Sequence, residues 1–187
     1  MSLWLSLVFG CADPPTGGVT DWSADLGPGT DWPTLVINEF MANNASSLAD
    51  STGAYPDWIE LYNPTDGEIE LDGWTMSDDI AQRDQHALRG LTIDARGWLL
   101  LFADDDEEQG DEHLGFSLSG DGEEIGLYSP DGRVVDELEY GEIPVDQSAA
   151  RVLDGGNDWE ITDDPTPGSS NAGTASAPGV DTGTEVE

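Results

Sequence analysis

A chain of 187 residues holds one domain of ordinary size plus tails, because single domains cluster near roughly 100 to 150 residues and a second large core does not fit. Its 40 acidic residues face only 5 basic ones, all arginine, giving a formal net charge of -35. Such a surface repels phosphate backbones and anionic headgroups, which excludes nucleic-acid binding and electrostatic membrane adsorption; it leaves cations, proteins or polysaccharides as partners. Dense carboxylate also keeps a protein soluble at high ionic strength, where screening weakens the mutual repulsion.

Residues 2–10, Ser-Leu-Trp-Leu-Ser-Leu-Val-Phe-Gly, form an apolar run too short to cross a bilayer as a helix but of the length of a signal-peptide core. The only cysteine follows at once. Leu7-Val8-Phe9-Gly10-Cys11-Ala12 resembles a bacterial lipobox, in which a small residue precedes a cysteine that becomes lipidated. Phe9 is bulkier than that pattern usually has, and no Lys or Arg precedes the run. Residues 1–11 are read as a lipoprotein signal peptide with Cys11 as the acylated residue, so that the membrane is reached only through this anchor. Ala12 in place of Asp after the cysteine fits the outer membrane. The expected location is the bacterial cell envelope, lipid-anchored or secreted. One cysteine makes no disulfide within the chain, so the fold must rest on its core.

Residues 12–33 turn to Asp, Pro, Thr and Gly and read as a disordered linker holding a domain away from the membrane. Trp32 is expected on the domain edge, while Trp22 has no assigned role. The domain itself, residues 34–171, alternates short apolar runs with turn clusters and shows no helix-length period. Strands are expected over 35–42, 57–63 and 69–76, then 88–93, 97–103 and 116–118. An acidic loop at 104–112 interrupts this series. Runs 124–129 and 133–140 pair across Pro130-Asp131-Gly132, where Asp-Gly supplies the positive φ that a hairpin turn asks for. Segments 149–153 and 159–162 complete the set, and 172–187 is a small, polar, disordered tail. About nine short strands at this spacing make an all-β, two-sheet sandwich.

Within that series, Asp57-Trp58-Ile59-Glu60-Leu61-Tyr62-Asn63-Pro64 stands out: Ile59 and Leu61 share an apolar face, Trp58, Glu60 and Tyr62 share an amphipathic one, and Asn63-Pro64 ends the ladder. With Ile37-Asn38-Glu39 before it, Leu71-Asp72-Gly73-Trp74 after it and Thr166-Pro167-Gly168-Ser169-Ser170-Asn171 at the close, the chain resembles the bacterial secreted branch of the lamin tail domain. The resemblance implies an immunoglobulin-like β-sandwich that binds or scaffolds, with no chemistry of its own.

The residues that could carry chemistry are few. His86 and His113 lie in acidic, loop-like segments without a Ser or Cys partner and read as solvated, which leaves nucleophilic catalysis without a base. Glu39 and Glu60 could face one another as a glycosidase pair. The resemblance points instead to structure: Ser148-Ala149-Ala150-Arg151 looks like the family's Ser-x-x-Arg element, and Arg151 is expected to pair with Glu60 or Glu39 as a structural ion pair. Asp104, Asp105 and Asp106 open a run of seven carboxylates in nine residues, which makes them the candidate calcium ligands, although no ordered calcium-loop spacing is present. Trp58, Tyr62, Trp74 and Trp159 are either packing or a sugar-stacking face. The reading is a non-catalytic envelope lipoprotein with a binding or scaffolding sandwich, without cofactor. A calcium-dependent adhesion or polysaccharide-binding surface protein is the alternative.

Overall fold

Short alternating runs separated by Gly, Asp and Pro build strands, and the computed structural model describes residues 18–21 and 32–171 as almost entirely β, with one 3-10 turn at Glu107–Gln109. Cys11 and the 172–187 tail lie outside these residues. Among the described residues thirteen strands form: β1 (Val19–Asp21), β2 (Val36–Met41), β3 (Asp57–Tyr62), β4 (Ile69–Glu70), β5 (Thr75–Ser77), β6 (His86–Ala87), β7 (Thr92–Ile93), β8 (Trp98–Ala103), β9 (His113–Leu114), β10 (Glu123–Tyr128), β11 (Val134–Tyr140), β12 (Ser148–Arg151) and β13 (Trp159–Thr162). The surplus over nine consists of pieces of two or three residues, too short to leave a periodic signal.

Two sheets make an immunoglobulin-like sandwich. One runs β1-β11-β10-β5-β6 and the other β13-β12-β2-β3-β8-β9, with β4 and β7 as a separate ribbon. Ile37, Phe40, Ile59 and Leu61 from one sheet meet Met76, Ile125, Leu127 and Leu138 from the other in one core. The expected hairpin is present as β10–β11, its turn closed by Gly132 N donating to Ser129 O at 2.8 Å, with Gly132 at φ 78°.

The structure departs from the expected pattern in several places, and the strand expected at 116–118 is reduced to an isolated bridge between Ser117 and Asp104. The segment read as a linker contributes β1, which pairs Val19–Asp21 with Tyr140, Glu139 and Leu138 of β11, because β11 ends its sheet with an open ladder that a short strand can satisfy. The second face of β3 is buried rather than amphipathic: Trp58 and Glu60 have no exposed surface. The run 98–102 is only partly buried, with Leu101 alone fully enclosed, since β9 covers β8 only at Phe102 and Ala103. Asn63 explains the stop after β3, its side-chain amide donating to the carbonyls of Gly67, Ile93 and Asp94 at 2.7–3.1 Å.

Gly126 in β10 lies beneath the folded-back ring of Tyr128, and a Cβ there would overlap the Tyr128 hydroxyl. Gly126→Ala should therefore displace that ring and cost about 1–3 kcal/mol, read as a lower melting temperature. An unchanged melt would contradict this packing.

Candidate functional site

The polar centre of the molecule starts from a β-bulge. β2 and β3 pair Ile37 with Leu61 and then Glu39 with Glu60, so Asn38 is the extra residue and the register shifts there. Without the bulge, Glu39 would share the core face with Ile37. The shift places Asn38 and Glu39 on the outer face beside Glu60. Two carboxylates thus stand directly opposite each other across the ladder, both fully enclosed.

What encloses them is the closing segment of the domain. Glu39 accepts from the Ser148 hydroxyl at 2.6 Å, the Thr166 hydroxyl at 2.8 Å and the Thr166 amide at 3.1 Å. Glu60 accepts from the Asn38 side-chain amide at 3.1 Å and from Gly168 N at 2.6 Å. Asn171 donates to the carbonyls of Arg151 and Asn38 at 2.8 and 3.2 Å and accepts from the Thr166 hydroxyl at 2.9 Å. Asp154 closes the ring, accepting from Asn38, Asn171 N and Ser170. Four separated stretches, 37–39, 57–63, 148–154 and 166–171, are therefore one hydrogen-bonded clasp.

The ion pair of Arg151 is corrected in its partner. Its guanidinium, 1% exposed, donates to Asp136 at 2.8 Å, to Ile37 O at 2.7 Å and to Gly156 O at 2.5 Å, and lies 4.6 Å over the Trp159 ring. Glu39 and Glu60 take their bonds from neutral donors instead. Asp136 belongs to β11 in the opposite sheet and also accepts from Ile37 N at 2.7 Å, so the pair crosses the sandwich and holds the two sheets in register. Asp136 was missed in the sequence, yet a signal existed: it shares the inward positions of β11 with Leu138 and Tyr140.

Burial pushes the Glu60 carboxyl up to about 8. The Asn38 and Gly168 donors pull the other way, and the nearby Glu39 and Asp154 charges add to the rise. Glu39 is raised for the same first reason, against the pull of Ser148 and Thr166. Burial works against ionisation at Asp154 too, but there the donors Ser170, Asn38 and Asn171 win and its carboxyl falls below the usual range. Both glutamates are sealed beneath backbone and side chains, so neither can meet a substrate.

The histidines are buried, not solvated. His113 lies with Nδ1 2.8 Å from Asp104 and its ring against Phe102, while the Nδ1 of His86 lies 3.0 Å from Gly115 N and 2.8 Å from Glu107. They fasten the acidic loop to the strand ends, which a sequence reading of the loop as free could not show. Asp104 is thereby engaged, whereas Asp105 and Asp106 are exposed. Among the described residues no group of three or more His, Cys, Asp or Glu side chains is arranged to hold a metal ion. Trp58 and Trp74 are core residues, and Tyr62 stacks on Trp98 at 5.5 Å, so these aromatics pack rather than present a face. Among the described residues no helix is long and apolar enough to cross a membrane, which leaves strand-built barrels aside.

The sandwich and its internal clasp define a domain whose signature residues hold the fold together. The family model for the Lamin Tail Domain matches residues 29–142, and the chain belongs to that family. The family's immunoglobulin-like domain is generally non-catalytic. No curated protein and no solved structure gives a significant match.

Two outcomes follow from this geometry. Arg151→Leu leaves Asp136 buried without its cation, at a cost of about 3–5 kcal/mol, and should lower the melting temperature by on the order of 10 °C; an unchanged melt would overturn the lock. For Glu60, the folded state keeps its proton to about pH 8 while an unfolded glutamate releases it near 4.5. The native state binds the extra proton across that window, so this group's stabilisation is complete at low pH and declines as pH rises, by up to about 1.4 kcal/mol per unit. Glu60→Gln abolishes the titration. Its melting temperature relative to wild type should climb between pH 5 and pH 8, and a pH-independent difference contradicts the assignment.

Proposed function

We propose that this chain is a non-catalytic lamin-tail-like sandwich, anchored through acylated Cys11 to a bacterial envelope and acting outside the cytoplasm as a binding or scaffolding module. The observation that carries the non-catalytic half is the clasp: Glu39 and Glu60, the carboxylate pair that the sequence offers for general acid–base work, have no exposed surface and bond within the domain. What remains for function is the outside of the sandwich, its sheet edges and acidic loops. The anchored half rests on the Leu7 to Ala12 pattern.

Docking of β1 bears on the tether. With Val19–Asp21 in the sheet, residues 12–17 alone separate Cys11 from the first described residue, Gly18, a span of at most roughly 25 Å. The anchored domain would then stand close to the bilayer rather than on a long leash. Expression of the full chain in a bacterium fed an alkyne fatty acid tests the anchor. Label and membrane fractionation should appear in wild type and vanish in Cys11→Ser, and an unlabelled wild-type chain would remove the lipoprotein half of the reading.

A further inference from the structure

We propose that the outer edge of β13 is a strand-addition site for an extended segment of a partner protein carrying Lys or Arg at alternate positions. This rests on the binding-module reading and names where and what it binds. β13 ends the six-stranded sheet, and among the described residues no strand pairs with its outer side. Its hydrogen-bond phase follows from the turn before it. Val152 N donates to Asp158 O at 2.8 Å, which makes 152–158 a bonded pair. Bonded and non-bonded pairs alternate in an antiparallel ladder, so Arg151–Trp159 and Ala149–Ile161 are non-bonded pairs. The amide and carbonyl of Ile161 consequently point away from β12 to the outer edge.

Beside that edge runs an open cleft of about 400 Å³, with β1, the edge of the other sheet, as its far wall. Val19 and Ile161 give it apolar, half-buried sides, and Asp158 and Glu160 supply its charge. No basic residue lines it, since Arg151 is turned inward to Asp136. A free ladder edge, apolar sides at Val19 and Ile161 and two carboxylates match an extended chain whose backbone joins the sheet and whose cationic side chains reach the rim. A second copy fits poorly, because it sets Glu160 against like charge on two chains of net charge -35. The chain's own 172–187 segment also fits poorly, having Asp181, Glu185 and Glu187 and no basic residue.

The test uses the full chain and a fluorescent peptide alternating Lys with Val and Thr, followed by anisotropy, with a peptide carrying Glu in place of each Lys as control. The Lys peptide should bind saturably and the Glu peptide should not. Proline is tolerated where an edge amide faces outward. Ile161→Pro should therefore keep the fold but weaken binding by roughly tenfold through loss of the outward donor. Glu160→Lys should also weaken the Lys peptide. If Ile161→Pro unfolds, backbone N-methylation of the peptide decides instead: methyl groups on one edge of the peptide should abolish binding and on the other leave it intact. The proposal is overturned by no saturable binding, by equal affinity for wild type and folded Ile161→Pro, by indifference to N-methylation, or by a concentration-dependent dimer that excludes the peptide. Any of these leaves the lipid labelling of Cys11, and with it the envelope reading, standing on its own result.

Discussion

Glu39 and Glu60 face each other across a β-ladder with no cation between them, and the rest of the domain is arranged to make that tolerable. Enclosing an ionised carboxylate without donors is prohibitively costly, and two side by side more so. The donors come from elsewhere in the sequence: Asn38 at the bulge, Ser148 on the neighbouring strand, and Thr166 and Gly168 from the closing segment. The bulge has a second effect. It places Ile37 N and Ile37 O beside the Asp136–Arg151 pair, which spans the two sheets. One inserted residue thus serves both the clasp on the outer face and the lock in the core.

This arrangement explains which parts of the fold were legible in the sequence. The strands at 36–41, 57–62, 98–103 and the β10–β11 hairpin carry runs long enough for a period of two, and the Asp131-Gly132 turn has a recognisable chemistry. The glutamates and Arg151 could be named from the resemblance, but not paired, because pairing depended on a bulge that leaves no mark in periodicity. Its consequence, Glu39 on the opposite face from Ile37 two residues away, contradicts simple alternation. The two histidines misled for a related reason: an acidic loop reads as solvated until the strand ends that it folds over are known. β1 was hidden in a Gly- and Pro-rich stretch whose composition argues for a linker, while the reason for its pairing lies more than a hundred residues downstream in β11.

The charge distribution separates stability from recognition. Among the described residues the buried carboxylates are Glu39, Asp50, Glu60 and Asp136, whereas most of the other acidic side chains are half-buried or exposed, and the net charge of -35 surrounds the molecule with a strongly negative field. Such a field repels other acidic surfaces and draws cationic segments to the molecule. It cannot choose a partner by itself; a free ladder edge, with donors and acceptors at fixed spacing, adds the geometry that a diffuse field lacks.

The family match ends at residue 142, but the clasp reaches Asn171, and the central claim is that the physical domain extends that far. Thermal unfolding of two shortened chains addresses it directly, one ending at Asn171 and one ending at Asp164. The chain ending at Asn171 should melt with the full-length protein, and the one ending at Asp164 should melt lower by on the order of 10 °C, because Glu39 and Glu60 lose the donors of Thr166 and Gly168. Equal melting of the two shortened chains would show that the carboxylates do not need the closing segment, and the account of the clasp would be wrong.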